Sequence, residues 1–341
     1  MSVEARSPLI PSEANAPGAY DAEGMSGVVA RSPMEQAWRR FRRDRVALVS
    51  GVVIVLMLLI AFIGAPLAES WAGHGPNDLI THAVVNYQPV GPWNHVKDNT
   101  GHDTLLVLGA SDLVGRDEFL RLLYGAQVSL EVGLLATFFG LSTGVILGTL
   151  AGYYGGVIDT VISRLTEIIM AFPFLLFLIA LAATLGQRLN DITVYGLFSP
   201  GVFTLVLVLS IFSWFYPARI IRSQVLSLRE KEFVEAARMV GASNFRIMRS
   251  HLLPHLVGTI IVYGTITVAI NILAEATLSY VGVGLPDPNA SWGKLLDTAV
   301  QYYTTQPWLI VWPGMALLIV TLSFNLLGDG LRDAFDPRAN L

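Results

Sequence analysis

The sequence predicts an all-α membrane protein with six transmembrane helices, because its composition is strongly apolar and its apolar residues fall in long runs. Hydrophobic residues make up 53% of the 341 residues and charged residues only 14%, whereas soluble globular chains carry roughly 25% charged residues. The mean hydropathy is +0.56. A surface so poor in charge indicates that much of the chain contacts lipid.

Each predicted span is an apolar run close to the 20 or so residues that a helix needs to cross a bilayer core. The first run follows a tail of 45 residues, which is too long for the charged region of a cleavable signal peptide. Pro173, Pro217 and Pro313 lie within later runs and predict kinks in a packed bundle. The six runs are residues 46–68, 128–152, 165–187, 200–221, 256–281 and 307–328.

The region before the first span divides into two parts. Residues 1–31 are rich in Ala, Gly, Ser and Pro, which predicts a disordered cytoplasmic tail. Residues 32–45 predict a basic amphipathic helix, in which five arginines surround Met34, Trp38 and Phe41 at helical spacing. Such a helix can lie on an anionic membrane surface, or its charges can serve only to fix topology, and the two interpretations are compatible.

Basic residues predict the orientation of the chain. With six spans and a cytoplasmic N-terminus, 17 of the 22 Lys and Arg residues fall in inside segments. The positive-inside rule therefore predicts that both termini are cytoplasmic. In this arrangement residues 69–126 form an extracytoplasmic loop, residues 127–330 form a core with five spans and a long inside loop at 222–255, and residues 331–341 form a cytoplasmic tail.

The sequence lacks the residues that several kinds of chemistry require. There is no cysteine, which excludes disulfides and thiolate sites, and the six histidines show no metal-ligand spacing. No GxxxxGK[ST] phosphate loop is present, so we expect no ATP binding by that route. We therefore predict no catalytic residues, no metal site and no cofactor bound by this chain, and no nucleic-acid partner.

The inside loop predicts two short amphipathic helices that meet at a glycine. Phe233, Ala237 and Val240 share one helical face. Gly241 predicts the end of the first helix, and Ser243 can cap a second that contains Phe245, Ile247 and Met248. Pro254 predicts the turn into the next span. The apolar faces of such helices must be buried in lipid or in another protein.

The spacing of Glu235-Ala236-Ala237, Gly241 and Leu253-Pro254 resembles the EAA loop of ABC importer permeases. His251 stands where the family usually has an aliphatic residue, a departure that the peptide branch shares. The resemblance implies that this loop is a coupling helix, which docks on a cytoplasmic ATPase subunit and transmits its motion to the membrane helices. The alternative is a cytoplasmic amphipathic loop of another kind of transporter.

Further segments resemble the C-type permeases of the dipeptide and oligopeptide family. The resemblance covers about residues 32–341. Its motifs include Gly115-Arg116-Asp117, Ala171-Phe172-Pro173, Ser291-Trp292-Gly293 and Gly328-Asp329-Gly330.

The family resemblance implies a type I ABC importer permease fold and the uptake of short peptides in a bacterial cytoplasmic (inner) membrane. The implied partners are a homologous B-type permease, two ATP-binding subunits that hold ATP and Mg, an extracytoplasmic peptide-binding protein and membrane lipid. Nickel chelates, glutathione and oligosaccharides remain alternative substrates within this class. A secondary transporter, with inverted repeats and ion-coupling carboxylates, or a membrane-embedded enzyme would be the rival from another class.

Charged residues outside the loop have two interpretations each. Glu275 lies inside an otherwise apolar span, where an ionisable group is unfavourable by roughly 3 kcal/mol or more. It either lines the substrate path or is a buried hydrogen-bonding group. Arg116 and Asp117 either contact a binding protein or form pairs within a folded loop.

Overall fold

The computed structural model describes residues 33–99, 101–192 and 198–335. The predicted tail 1–31 and the last residues of the predicted tail 331–341 lie outside these ranges. Within them, thirteen α-helices and four short strands are present. The helices are α1 (Pro33–Phe41), α2 (Arg45–Leu59), α3 (Ala65–Ala72), α4 (Glu118–Tyr154), α5 (Gly156–Ala171), α6 (Phe174–Leu189), α7 (Val202–Ser213), α8 (Phe215–Leu228), α9 (Glu232–Met239), α10 (Asn244–Arg246), α11 (Leu253–Tyr280), α12 (Trp292–Ala299) and α13 (Trp308–Phe335).

Five stretches of helix are long and apolar enough to cross a membrane: Arg45–Ala72, Glu118–Tyr154, Val202–Leu228, Asn244–Tyr280 and Trp308–Phe335. Each contains most or all of one predicted run. The helices extend beyond the predicted boundaries, so that the loop expected at 69–126 begins after Ala72 and ends before Glu118. The helix of the last stretch likewise enters the expected tail as far as Phe335.

The predicted span 165–187 is not one helix. It falls on α5 and α6, which are bent by 91° at their junction. Phe172 has extended backbone angles, with φ −83° and ψ 141°, as expected for a residue before proline. Pro173 has no N–H with which to continue the helix. The kink expected from Pro173 is therefore a complete break.

The region before the first span also differs from its prediction. The single helix expected at 32–45 ends at Phe41, and α2 begins at Arg45. Asp44 causes this division, because its side chain accepts hydrogen bonds from the N–H groups of Val46 and Ala47 at 2.9 and 3.1 Å. It is thus the N-cap of α2. Trp38 remains half-exposed on α1, as an interfacial helix requires.

A row of glycines on α4 forms the centre of the bundle. Gly144, Gly148 and Gly152 are spaced by four residues, and α8 packs directly against them. A Cβ at these positions would lie 2.6, 2.5 and 2.8 Å from the carbonyl oxygens of Trp214, Ala218 and Arg222, respectively. Small residues at this spacing let membrane helices approach closely.

The segment 73–117 lies at the opposite end of α4 from the loop 222–255, and we call it the outer segment after its predicted side. Strands β1 (Val84–Val85) and β2 (Gln88–Pro89) form one hairpin, and β3 (Asn94–Lys97) and β4 (Asp103–Leu106) form another. They enclose a small core of Ile80, Ala83, Val96, Leu106 and Ala110. Because α4 has 37 residues, about 55 Å separates its two ends.

Candidate functional site: the EAA loop and the membrane groove

The EAA loop, residues 222–255, is seated on the ends of three membrane helices. Val234 of α9 and Ile247 after α10 are fully buried. They pack in one cluster with residues of α4, α8 and α11, namely Tyr153, Ile221, Val225 and Leu256. The first short helix that the sequence predicts is therefore present as α9, whereas the second is the start of a helix that continues into α11. Both rest on the bundle.

The corner between the two short helices is a Schellman motif. Gly241 has a φ of +83°. Its N–H donates to the carbonyl of Arg238 at 2.9 Å, and the N–H of Ala242 donates to that of Ala237 at 3.0 Å. These two bonds close the end of α9 in the way that a left-handed glycine permits. A Cβ on Gly241 would have no heavy atom within 4 Å, so only the backbone conformation favours glycine there.

Tyr153, at the end of α4, holds both short helices in place. Its hydroxyl donates to Oδ1 of Asn244 at 2.8 Å, and the guanidinium of Arg238 lies 5.5 Å from its ring centre. The hydroxyl of Ser243 accepts from the N–H of Arg246 at 3.4 Å, which confirms Ser243 as a cap. Sequence reasoning missed Tyr153, because nothing in its own neighbourhood points to a loop about 90 residues away.

The face of the loop that points away from the bundle is exposed and partly apolar. Met239 and Val240 are each 89% exposed, and Phe245 is 66% exposed. Glu235 and Ala236 are exposed beside them. These five residues, which we call the knob, combine bulky apolar side chains with a small residue and a carboxylate. An exposed apolar surface of this kind is typical of a site that binds in a cleft of a protein partner.

One prediction about this loop is wrong in detail. Val240 does not share the buried face of Phe233 and Ala237, because it is the C-cap of α9 and points outward where the chain turns. Val234 takes the buried position instead. Phe245 likewise points outward rather than packing with Ile247.

Leu253 and Pro254 are the first residues of α11, and the chain does not turn at them. A π-helical stretch, Ile247–Leu252, joins α10 to α11, so that helix runs without a break from Asn244 to Tyr280. Proline in the first turn of α11 is tolerated there. Leu253 is half-buried and Pro254 is exposed. The predicted turn at Pro254 is therefore wrong.

Glu275 is fully buried between helices. Its carboxyl group accepts hydrogen bonds from the hydroxyls of Ser129 at 2.8 Å and Ser279 at 2.7 Å. Ser129 also accepts from the N–H of Trp292 at 3.3 Å. These contacts join α11 to α4 and α12, as the structural interpretation expects. A role for Glu275 in the substrate path stays a prediction.

A groove of about 630 Å³ opens at the break between α5 and α6, and we call it the membrane groove. The interruption between α7 and α8 borders the same groove through Ser213 and Phe215. Its lining is mostly aromatic and aliphatic, and no charged side chain is among the described residues that line it. Asn271 supplies polarity and is held by Ser213 at 2.8 Å and Thr137 at 2.9 Å.

Arg116 and Asp117 form separate pairs within the outer segment. Nε of Arg116 donates to Asp112 at 2.6 Å. Asp117 caps α4 by accepting from the N–H of Phe119 at 2.7 Å, and it lies 3.5 Å from His74. Burial raises the pKa of the Asp117 carboxyl, although His74 opposes this shift. Both residues therefore serve the folded loop, the second of the two interpretations.

Two family models match the chain. Residues 144–341 match the model described as "Binding-protein-dependent transport system inner membrane component". Residues 32–89 match that described as "N-terminal TM domain of oligopeptide transport permease C".

Relatives with curated names match almost the whole chain. The dipeptide transport system permease protein DppC of Alkalihalophilus pseudofirmus is 35% identical, with 99% of each chain covered. The glutathione transport system permease protein GsiD of Pectobacterium atrosepticum is 34% identical, over 90% of this chain and 92% of the relative. A putative peptide transport system permease protein of Brucella abortus is 36% identical, over 92% of this chain and 95% of the relative.

A solved structure shares the fold. An inward-facing structure of the MetNI methionine ABC transporter matches with a TM-score of 0.50 and 22% identity, over 64% of this chain and 97% of that chain. The helical bundle is thus that of a type I ABC permease. The chain is a multi-pass inner-membrane protein and belongs to the family of binding-protein-dependent transport system inner membrane components.

Proposed function

We propose that this chain is the channel subunit of an ATP-driven, binding-protein-dependent importer of di- and oligopeptides. Separate ATPase subunits would drive alternating access through the EAA loop. The observation that carries this proposal is the knob, whose Met239 and Val240 are each 89% exposed on a loop otherwise packed against α4, α8 and α11. A surface that is apolar, exposed and firmly mounted can transmit force from a partner to the membrane helices.

The proposed topology has six spans, with the bent pair α5–α6 counted as one. Both termini are placed in the cytoplasm, because 17 of 22 basic residues then lie inside. This orientation puts the knob on the cytoplasmic side, where ATPase subunits would dock, and the outer segment on the side where a binding protein would deliver substrate.

The proposed assembly contains a homologous B-type permease, two ATP-binding subunits, an extracytoplasmic peptide-binding protein and surrounding lipid. ATP and Mg would be bound by the ATP-binding subunits, and this chain would itself hold no cofactor and catalyse no reaction. The membrane groove is open along one side, and the B-type permease would close it. Together the two subunits would enclose a path for the substrate.

Short peptides are the proposed substrate class because relatives that cover most of this chain carry dipeptide and peptide permease names. Because no charged side chain is among the described residues that line the membrane groove, it would neither attract nor repel one sign of charge and would accept peptides of varied sequence. Glutathione is the second candidate, because a relative of similar identity is named for it. Nickel chelates and oligosaccharides rest on the family resemblance alone.

The proposal is tested by reconstituting the complex, purified with its co-purifying subunits, into vesicles and supplying candidate extracytoplasmic binding proteins. Uptake of a labelled dipeptide, labelled glutathione and a nickel chelate would be measured with ATP or with a non-hydrolysable analogue. We expect ATP-dependent dipeptide uptake that is absent with the analogue. Uptake of the chelate alone would overturn the substrate class, and uptake without ATPase subunits would overturn the transporter class.

A further inference from the structure

The outer segment contains three non-glycine residues with positive φ: Asn86 at 53°, Tyr87 at 59° and Trp93 at 59°. Within the described ranges, no other non-glycine residue has this conformation. In a left-handed residue the Cβ crowds the backbone, and for a bulky aromatic residue the conformation is a genuine outlier.

Tyr87 occupies a position at which glycine would be free of strain. Val85 pairs with Gln88 across the β1–β2 hairpin, so that Asn86 and Tyr87 form its two-residue turn. Positive φ at both turn residues matches a type I′ turn, for which Asn-Gly is a preferred sequence. Asn86 therefore fits the turn, and Tyr87 stands where the glycine would be.

Packing within the chain does not compensate for this strain. Tyr87 is 91% exposed and Trp93 is 70% exposed. Two large aromatic rings are thus held in water by backbone conformations that disfavour them. Strain of this kind is typical of functional sites, and aromatic residues are enriched among the anchors of protein interfaces.

The stretch of chain between Tyr87 and Trp93 is fixed to the membrane helices. Nε2 of Gln306, just before α13, donates a hydrogen bond to the carbonyl of Pro89 at the end of β2. A Cβ on Gly91 would lie 3.3 Å from Cζ2 of Trp308, which shows how closely this stretch passes the first turn of α13. A partner that binds the rings therefore engages a platform connected to the bundle.

We propose that Tyr87 and Trp93 are anchor residues of the surface on which the extracytoplasmic binding protein docks. This inference rests on the proposed function and orientation. The family description names a binding protein as the component on which transport depends, and such a protein must reach the outer face to deliver substrate. The surface fits a partner with an apolar pocket for each ring and a basic rim around it.

Charge favours a protein partner over the lipid surface. In the outer segment, Asp78 and Asp103 are exposed and Asp98 is half-buried, against one exposed basic side chain among the described residues, Lys97. Asp112 and Asp117 are buried. A net negative charge disfavours close contact with anionic lipid headgroups. The same charge complements a basic rim on a protein and would speed its association.

The test compares Tyr87→Gly with Asn86→Gly in the full transporter, reconstituted with its ATPase subunits in nanodiscs. Both substitutions place glycine, which adopts positive φ freely, in the same turn, but only the first removes an aromatic ring. The binding protein that drives uptake in the vesicle assay is titrated, and its half-maximal concentration for stimulating ATP hydrolysis is measured. We expect Tyr87→Gly to raise that concentration about tenfold, as loss of an anchor residue would, and Asn86→Gly to change it less than about twofold.

Thermal melting of the same preparations shows whether the fold survives. Tyr87→Gly should melt at or above the temperature of the unsubstituted complex, because glycine removes strain there, and Asn86→Gly should melt close to it, because asparagine already fits the turn. Trp93→Gly should behave as Tyr87→Gly does. Equal half-maximal concentrations for Tyr87→Gly and Asn86→Gly would overturn the docking surface.

Two further results distinguish failure of the docking surface from a role at the membrane interface and from failure of the proposed function. Weaker quenching by brominated lipid in Trp93→Gly than in the unsubstituted complex, measured without binding protein and with docking unchanged in Trp93→Gly, would assign the ring to the membrane interface and overturn the proposal. If the binding protein does not stimulate ATP hydrolysis by the unsubstituted complex, the proposed function itself is contradicted. Stimulation that is normal in every variant contradicts only the docking surface.

Discussion

The hydroxyl of Ser129 in α4 donates a hydrogen bond of 2.8 Å to the carboxyl group of Glu275 in α11. Both side chains are fully buried. The second carboxyl oxygen accepts from Ser279, one turn further along α11. An acidic residue inside an apolar span is thus satisfied by hydroxyl groups from two helices, and it fixes how α4 and α11 pack.

Replacing Glu275 with leucine should destabilise the bundle. The substitution leaves the hydroxyls of Ser129 and Ser279 without their acceptor, and a buried polar group without a partner costs about 1–3 kcal/mol. Glu275→Gln is the matched control, because its amide oxygen can still accept one of the two bonds. Thermal unfolding of the purified complex should show a lower midpoint for Glu275→Leu than for Glu275→Gln. Equal midpoints would contradict the structural role.

The Gln variant also tests the alternative role of Glu275. If the carboxylate contributes only to packing, Glu275→Gln should retain most ATP-dependent uptake. An assembled, stable complex that has lost uptake would instead place the charge in the substrate path. Uptake and melting measured on one preparation separate the two roles.

Alanine at Gly148 should weaken the contact between α4 and α8. A Cβ there would lie 2.5 Å from the carbonyl oxygen of Ala218 and 3.0 Å from Cβ of Ile221. Neither atom is the end of a flexible side chain, so the helices must separate, at a cost of about 1–3 kcal/mol. The expected result is a lower unfolding midpoint and reduced yield of assembled complex.

Gly314 in α13 provides the control for this substitution, because a Cβ at that position would have no heavy atom within 4 Å. Gly314→Ala should be neutral or slightly stabilising, since alanine favours helix by up to about 1 kcal/mol over glycine. If both alanine variants unfold at the same temperature, close packing along the glycine row is not what stabilises this contact.

Residue types and short spacings in the sequence predicted the turns and helix ends of the EAA loop well. The Gly241 corner and the Ser243 cap follow from residue type and spacing, and the structure confirms both. Long-range contacts were missed: Tyr153 reaches Asn244 only because α4 and the EAA loop meet in three dimensions. Pro173 predicted a kink, but proline alone does not distinguish a kink from the 91° break, because tertiary packing decides how far the two halves separate.

Cysteine labelling in intact cells should confirm the proposed orientation. The chain has no cysteine, so each substitution introduces a single thiol. The side chain of His102 in the outer segment is 85% exposed, and Met239 in the knob is 89% exposed. A membrane-impermeant maleimide should label His102→Cys in intact cells, and Met239→Cys only in inside-out vesicles stripped of ATPase subunits, which would otherwise cover the knob. The opposite pattern would reverse the orientation.

Glu235→Lys should uncouple the ATPase subunits without unfolding this chain. Glu235 is exposed on α9, and an exposed carboxylate contributes little to the stability of its own subunit. At an interface with a basic residue, loss of one partner of a buried charge pair costs about 2–5 kcal/mol of association. The expected result is normal membrane insertion, with ATPase subunits lost on purification or ATP hydrolysis without uptake. Glu230→Lys, outside the knob, is the control and should retain both activities.

Substitutions at Gly241 test whether the geometry of the corner between α9 and α10 matters for coupling to the ATPase subunits. Its φ of +83° strains any β-branched residue, while the space around its Cβ is open. Gly241→Val should therefore distort the corner through its backbone alone, by about 1–2 kcal/mol, and misdirect Met239 and Val240. Gly241→Asn should be far milder, because asparagine tolerates the left-handed conformation. We expect Gly241→Val to lose ATP-driven uptake, or to hydrolyse ATP without transport, while Gly241→Asn keeps most of both. If Gly241→Val retains full coupled uptake, coupling to the ATPase subunits does not depend on the orientation of the knob. The assignment of this loop as the coupling element would then fail.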